Sequence, residues 1–200
     1  MKLTDRLPDS LTIDGKRYRL DLDFRNVLRM MEIMGREDLL ADARNYLSLR
    51  CVMRKVPKNT AGAMRALQGL LFPEPKKKGK KQTEMVTDYD QDADLIRAAF
   101  LQSYNINLWR DKLHWFEFTA LLSNLPEGSR YSDIIGIRVR PLPEPTNYNA
   151  KERQWLLEAK ARFAIETTEE EQEEALRISL HNTTLSLLAL ANRGGDLDAK

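Results

Sequence analysis

A chain of 200 residues, 42% hydrophobic and 31% charged, is long enough to bury a core without covalent staples, and its lone Cys51 rules out an internal disulfide framework. No stretch approaches the roughly 18 uninterrupted apolar residues of a membrane span. The start, MKLTDRLPDS, lacks the apolar run of a secretory signal, so a reducing cytosol is the expected compartment.

The net charge of +2 hides a split: residues 1–81 carry 19 Lys+Arg against 10 Asp+Glu, and residues 82–200 carry 13 against 20. Opposite halves of this kind can attract within one molecule or head to tail between molecules. Screening confines the effect to about 8 Å at physiological salt. A tendency to self-associate, or a basic face for an acidic partner, is the expectation.

In chain order, LTIDGKRYRLDLD (11–23) reads as a β-hairpin. Leu11 and Ile13 alternate before Asp14-Gly15, and Tyr18, Leu20 and Leu22 alternate after it. Asp-Gly suits the positive φ angles of a two-residue turn, and a lone hairpin needs something to pack on. FRNVLRMMEIMG (24–35) supplies it, a helix with Phe24, Val27, Leu28, Met31 and Met34 on one face and Gly35 as its stop. Residues 37–55 carry a second stripe of Leu40, Ala43, Tyr46, Leu47, Arg50 and Cys51, ended before Pro57. Asn59 or Thr60 then caps a third helix with Ala63, Met64, Leu67, Leu70 and Leu71, up to Pro73.

Residues 73–87 break the pattern, with five lysines around one glycine and no face to bury; an exposed, mobile basic loop is expected. Asp88, Asp90, Asp92 and Asp94 alternate into a helix marked by Leu95, Ile96, Ala99, Phe100 and Tyr104. LHWFEFTALLSNLP (113–126) is apolar nearly all round, as in a helix sandwiched within a bundle. Residues 129–145 hold a short helix or strand around Ile134–Val139 before a proline-rich break. Asn149 caps a further helix carrying Trp155, Leu156, Ala159 and Phe163. Finally, Thr168-Glu169-Glu170-Glu171 has the form of a capping box ahead of Leu176, Leu180, Leu187 and Leu188, a peripheral helix that ends at Gly194-Gly195 and a frayed tail.

Signals for chemistry are weak. The aspartate run can be laid on a calcium loop, but the required glycine is Ala93 and the required glutamate is Ala99, so Asp88 or Asp90 is read as a helix cap with its neighbours complementing the dipole. His114 and His181 are the only histidines, and neither CxxC nor HxxxH occurs, so no zinc site is expected. Cys51 sits on an apolar face, where a thiol is usually inert packing, and His114 beside Trp115 reads as a cap or core-edge residue. The glycines are scattered and form no phosphate cradle. No enzyme and no cofactor are expected. KKKGKK, with Lys76, Lys77, Lys78, Lys80 and Lys81, is the alternative functional signal, a non-specific nucleic-acid contact at low salt. It lacks the arginines and aromatics that read or stack bases.

Three segments carry a resemblance: DYDQDADLIRAAFLQSYNINL (88–108), LHWFEFTALLSNLPEGSRYSDIIGIR (113–138) and KERQWLLEAKARFAI (151–165), with DLDFRNVLRM (21–30) before them. Together they resemble the phage gp-fifteen family of long-tailed phages of Gram-positive bacteria. Such proteins are typically encoded between the major tail protein and the tape measure protein. The resemblance therefore implies a tail assembly chaperone in the host cell cytoplasm, binding the tape measure protein and perhaps the major tail protein during tail morphogenesis. It brings no catalytic residues. Self-association would supply avidity along a long helical partner, and Met30, Met31, Met34, Met53 and Met64 suit either an adaptable surface or core gaps. Leu176, Leu180, Leu187 and Leu188 are the first candidates for a partner-facing surface.

The expected architecture is mainly α, a multi-helix bundle with one short N-terminal β-hairpin. Residues 1–165 form a helical family domain with the mobile basic loop at 73–87, and residues 166–200 add the peripheral C-terminal helix.

Overall fold

The Asp14-Gly15 pair makes the turn that the sequence predicts. Asp14 at φ 49° and Gly15 at φ 74° both take the left-handed backbone of a two-residue hairpin, where a glycine is free of steric penalty. Strand β1 (Ser10–Ile13) pairs antiparallel with β2 (Lys16–Arg19), setting Leu11 opposite Tyr18 and Ile13 opposite Lys16. The computed structural model describes residues 4–73, 86–146 and 148–166. The chain divides into two units, Met1–Phe163 and Ala164–Lys200, and every element described here lies in the first. The mainly α fold with one N-terminal hairpin is the observed one: seven helices follow the two strands among the described residues.

The hairpin is seated by the chain beyond it. Leu20 bridges to Met53, the Asp21 amide donates to the Val52 carbonyl at 2.8 Å, and the Trp115 amide donates to the Leu22 carbonyl at 2.8 Å. Helix α1 (Phe24–Met34) then starts on Asp23, whose carboxylate accepts from the Arg25 amide. Phe24 and Val27 are buried as expected. Met30, absent from the predicted stripe, is the deeper methionine, whereas Leu28, Met31 and Met34 are only partly covered. The stripe is rotated because α1 lies between α2 and α5, so its buried arc is centred on Val27 and Met30.

Helix α2 (Ala41–Val52) corrects the sequence reading more sharply. Leu40, Tyr46 and Leu47 are exposed, and Ser48, Leu49 and Val52 are buried instead. Counting apolar residues favours the wider stripe, but α2 packs against both α1 and α3, which turns the Ser48, Leu49 and Val52 face inward. Helix α3 (Thr60–Leu71) follows the prediction. Asn59 caps it through the Gly62 amide at 2.9 Å, and Ala63, Met64, Leu67 and Leu71 are buried.

Helix α4 (Ala93–Tyr104) buries Ile96, Ala99 and Phe100 and ends on Asn105 in the left-handed conformation, φ 55°. Helix α5 (Trp115–Ser123) buries Trp115 and Phe118 but exposes Ala120, so it is covered on one side rather than sandwiched. His114 begins it: Nδ1 accepts from the Phe116 amide at 3.3 Å while the Glu117 carboxylate accepts from the His114 amide at 3.1 Å, the reciprocal arrangement of a capping box. Helix α6 (Arg130–Val139) settles the helix-or-strand question, started by Ser129 accepting from the Ser132 amide at 3.2 Å. In α7 (Ala150–Arg162), Leu156 and Ala159 are buried and Trp155 is exposed. Asn149 occupies the cap position without capping. Its side-chain Oδ1 accepts from the Thr146 amide and its Nδ2 donates to the Glu144 carbonyl, each at 2.8 Å, which fixes the proline-rich approach instead.

The core is aromatic at its centre. Phe118 stacks on Phe24 at 4.7 Å and on Phe100 at 5.3 Å, with Trp115 at 5.9 Å, which joins α1, α4 and α5. Of the predicted basic loop, residues 74–85 lie outside the described residues. Val86 and Thr87, assigned to it from sequence, are anchored: the Val86 carbonyl accepts from Arg138 at 2.9 Å, and Thr87 Oγ1 lies 2.7 Å from the Tyr131 hydroxyl.

Candidate partner-binding groove

Beside the aromatic core, α1 from Phe24 to Glu32 and the first turns of α4 border a groove of about 830 Å³. Phe24, Phe118 and Ile96 form its floor, and Leu28, Met31 and Leu108 extend the apolar lining. The turn Asp88–Gln91 shapes one wall. Asp88 Oδ1 accepts from the amides of Asp90 and Gln91, each at 2.8 Å, which turns the chain before α4 begins. The rim is charged in both signs, with Arg25, Arg29 and Arg97 against Glu32, Asp88 and Asp90.

Trp109 stands at this rim and is 66% exposed, the most open of the three tryptophans. The Arg97 guanidinium lies 5.1 Å from its ring centroid, and Asp94 holds Arg97 through an ion pair at 2.9 Å. The linker is stiff: the Asn107 side chain accepts from the Trp109 amide at 3.0 Å, and Asp111 accepts from the Asn107 amide at 2.7 Å. A large aromatic on a fixed loop beside an apolar trough is a ready anchor for a partner side chain. On the far side of Met31 a second hollow of about 340 Å³ is lined by Met30, Met34, Met64, Gln68 and Phe72. Met31 borders both, so the apolar lining continues along α1 from Trp109 towards Phe72.

The sequence-predicted candidates fall out differently. Leu176, Leu180, Leu187 and Leu188 lie outside the described residues, as do Lys76, Lys77, Lys78, Lys80 and Lys81. The methionines divide between both expected roles. Met30, Met53 and Met64 are core, while Met31 and Met34 stay partly open and line the hollows. The aspartate run does not converge on one point. Asp88 accepts the amides of Asp90 and Gln91, so neither it nor Asp90 caps α4. The cap position holds Asp92, which makes no cap bond and is buried against Arg138 at 2.6 Å, and Asp94 pairs with Arg97. Among the described residues no group of three or more His, Cys, Asp and Glu could hold a metal ion. Cys51 and His114 are each engaged elsewhere: Cys51 Sγ lies 3.5 Å from the Leu47 carbonyl, and His114 Nε2 lies 3.2 Å from the Pro8 carbonyl. Burial pushes the Cys51 thiol above its ordinary value, the direction of a less reactive sulfur.

Trp109, Leu28 and Arg97 are not marked by the sequence pattern as parts of one surface. The available signal was the lone tryptophan in the polar linker NINLWRDK, which has no helical partner to bury it.

Among the described residues no helix is long and apolar enough to cross a membrane. Comparison with curated proteins and with solved structures gives no match. The family model described as Bacteriophage Gp15 protein matches residues 3–165, a span that takes in the hairpin, the seven described helices and the groove. The chain therefore belongs to the Bacteriophage Gp15 protein family, which makes it a phage protein of the structural or morphogenesis class.

Proposed function

We propose that this chain is a tail assembly chaperone that binds the phage tape measure protein non-covalently in the host cytoplasm, and that it acts as a binder and not as an enzyme. The groove between α1 and α4 carries the reading. It is apolar along its floor, charged at its rim and open to solvent, the form that accepts an amphipathic helix through anchors at i, i+3, i+4 and i+7. A helix about 10–12 Å across presents one such stripe at a time, and a long helical partner offers many in series. Met31 and Met34 at the edge adapt to stripes of differing shape, as a chaperone of a long and varied sequence requires. Several copies bound along one partner would add avidity to weak single contacts, and the tail tube subunit would displace them as it polymerises.

Co-expression with the tape measure protein, followed by light scattering of the soluble fraction, tests this. The expected result is a soluble complex whose mass fits several copies of this chain on one tape measure. Trp109→Glu and Met31→Glu, both at partly open positions, should abolish solubilisation while leaving the circular dichroism spectrum unchanged. A tape measure that precipitates equally with and without this chain refutes the proposal. Full solubilisation by both variants would move binding away from the groove.

A further inference from the structure

A second surface lies away from the groove. Leu20 bridges to Met53 at one end of the hairpin, and at the other the Asn59 side chain donates to Asp14 at 3.4 Å. Residues 54–58 connect these two ties, from the Leu20 end of β2 to the Asp14 turn. Lys16, Arg17 and Arg19 on the strand, and Arg54, Lys55 and Lys58 on the adjoining stretch, are all exposed. Few carboxylates answer them. Asp9 pairs with Arg17 at 3.3 Å, and Asp14, which accepts from the uncharged Asn59 side chain, keeps its charge at the hairpin turn. Lys16, Arg19, Arg54, Lys55 and Lys58 enter no ion pair among the described residues. Tyr18 and Val56 are half-covered between the cations, so no open aromatic platform accompanies the charge. That favours a carboxylate-bearing peptide over a stacked nucleic-acid strand.

The chain itself carries such a peptide. Residues 169–174 hold five glutamates in six positions, the densest acidic run in a sequence whose two halves have opposite net charge. We propose that the basic face formed by β2 and residues 54–58 docks the Glu169–Glu174 run of a second copy of this chain, linking copies head to tail. Exposed ion pairs are individually weak, so a face of five or six cations against five carboxylates is the scale such a contact needs. Because the two surfaces differ, the contact can repeat from copy to copy, closing into a ring or a reciprocal pair or extending as a chain according to the rotation between copies. This inference is independent of what fills the groove.

Charge reversal on the full chain tests it, read by sedimentation and light scattering over a salt series. The wild type should exceed its 23.2 kDa monomer mass at low salt and return to it as salt rises. A face variant, Arg54→Glu with Lys55→Glu and Lys58→Glu, should associate at least about tenfold more weakly, as should a tail variant, Glu169→Lys with Glu170→Lys and Glu171→Lys. Mixing the two variants should restore association, since each reversed surface then meets its complement. This recovery also shows that both variants are folded. A wild type that stays monomeric at low salt, association indifferent to salt, or a mixture that stays monomeric while the wild type assembles would each overturn the proposal. Loss of association on nuclease treatment would overturn it in favour of a nucleic-acid ligand. Association that survives in the face variant but is lost when Lys76, Lys77, Lys78, Lys80 and Lys81 are reversed would overturn it in favour of the lysine run.

Discussion

Asp92 and Arg138 meet as a two-pronged ion pair, Oδ2 to Nη1 at 2.6 Å and Oδ1 to Nη2 at 2.8 Å, with only 2% and 9% of their side chains exposed. The same guanidinium donates from Nε to the Phe163 carbonyl at 2.6 Å and from Nη1 to the Val86 carbonyl at 2.9 Å. Asp92 also accepts from the Asp88 amide at 3.1 Å, and Lys160 donates to the Arg138 carbonyl at 2.6 Å. One arginine thereby joins the start of α4, the last turn of α6 and the end of α7, and it fixes the wall of the groove at Val86.

Removing one partner strands the other. Asp92→Asn leaves a buried guanidinium without its counter-charge and should destabilise by about 3–5 kcal/mol, lowering the thermal midpoint by roughly 6–20 °C. Arg138→Lys keeps the charge but loses the fork, so it should fall between that variant and the wild type. Asp94→Asn, at a side chain 93% exposed, is the control and should stay within about 0.5 kcal/mol. Thermal unfolding followed by circular dichroism separates these cases. Equal midpoints for Asp92→Asn and Asp94→Asn would show that the buried pair holds nothing together.

That pair lies beyond what local sequence patterns reveal. The hairpin was legible because Asp14-Gly15 dictates its turn, and α3 because Asn59 and Pro73 bracket a clean apolar stripe. Both are local signals. The inward face of α2 was not local: Leu40 and Tyr46 outweigh Ser48 by hydrophobicity, and only packing against α1 and α3 decides between them. Asp92 looked like one of four equivalent acids because its partner is 46 residues away. The groove was illegible for the same reason. It is a gap between α1, α4 and the linker at Trp109, and no single segment encodes a gap.

Asp23 makes the acid limb of stability readable. Burial raises its affinity for a proton, but the Arg25 side-chain hydrogen bond, the cap bond to the Arg25 amide and the charges of Arg25 and Lys112 outweigh this and hold the carboxyl below its ordinary 3.8. A depressed folded-state value means that the unfolded chain binds the proton more readily. The stabilisation is therefore present above pH 3.8 and is lost as pH falls through the lower folded value. Asp23→Ala should cost about 1 kcal/mol at pH 6 through the lost cap and the lost Arg25 pair, whereas Asp23→Asn should keep the cap and lose the charge-dependent part. In urea titrations the gap between wild type and Asp23→Ala should narrow from pH 6 to pH 3. A gap that is constant or wider at pH 3 would contradict the assignment.

Two glycines in α3 should respond oppositely to the same substitution. Replacing an interior helical glycine with alanine gains up to about 1 kcal/mol, because alanine loses less backbone freedom on folding. Gly69 is exposed with nothing within 4 Å of an added methyl, so Gly69→Ala should realise that gain. At Gly62 the methyl would sit 2.5 Å from Asn59 Nδ2 and 2.8 Å from Oδ1, the atom that caps the helix. The asparagine must swing away, losing the cap and its bond to Asp14, which offsets the gain by about 1 kcal/mol. Gly62→Ala should thus be neutral or destabilising in the wild type but stabilising once Asn59→Ala has removed the obstacle. A double-mutant cycle by urea denaturation reads this coupling directly. Additive effects, with Gly62→Ala equally favourable in both backgrounds, would mean that Asn59 accommodates the methyl without giving up its cap.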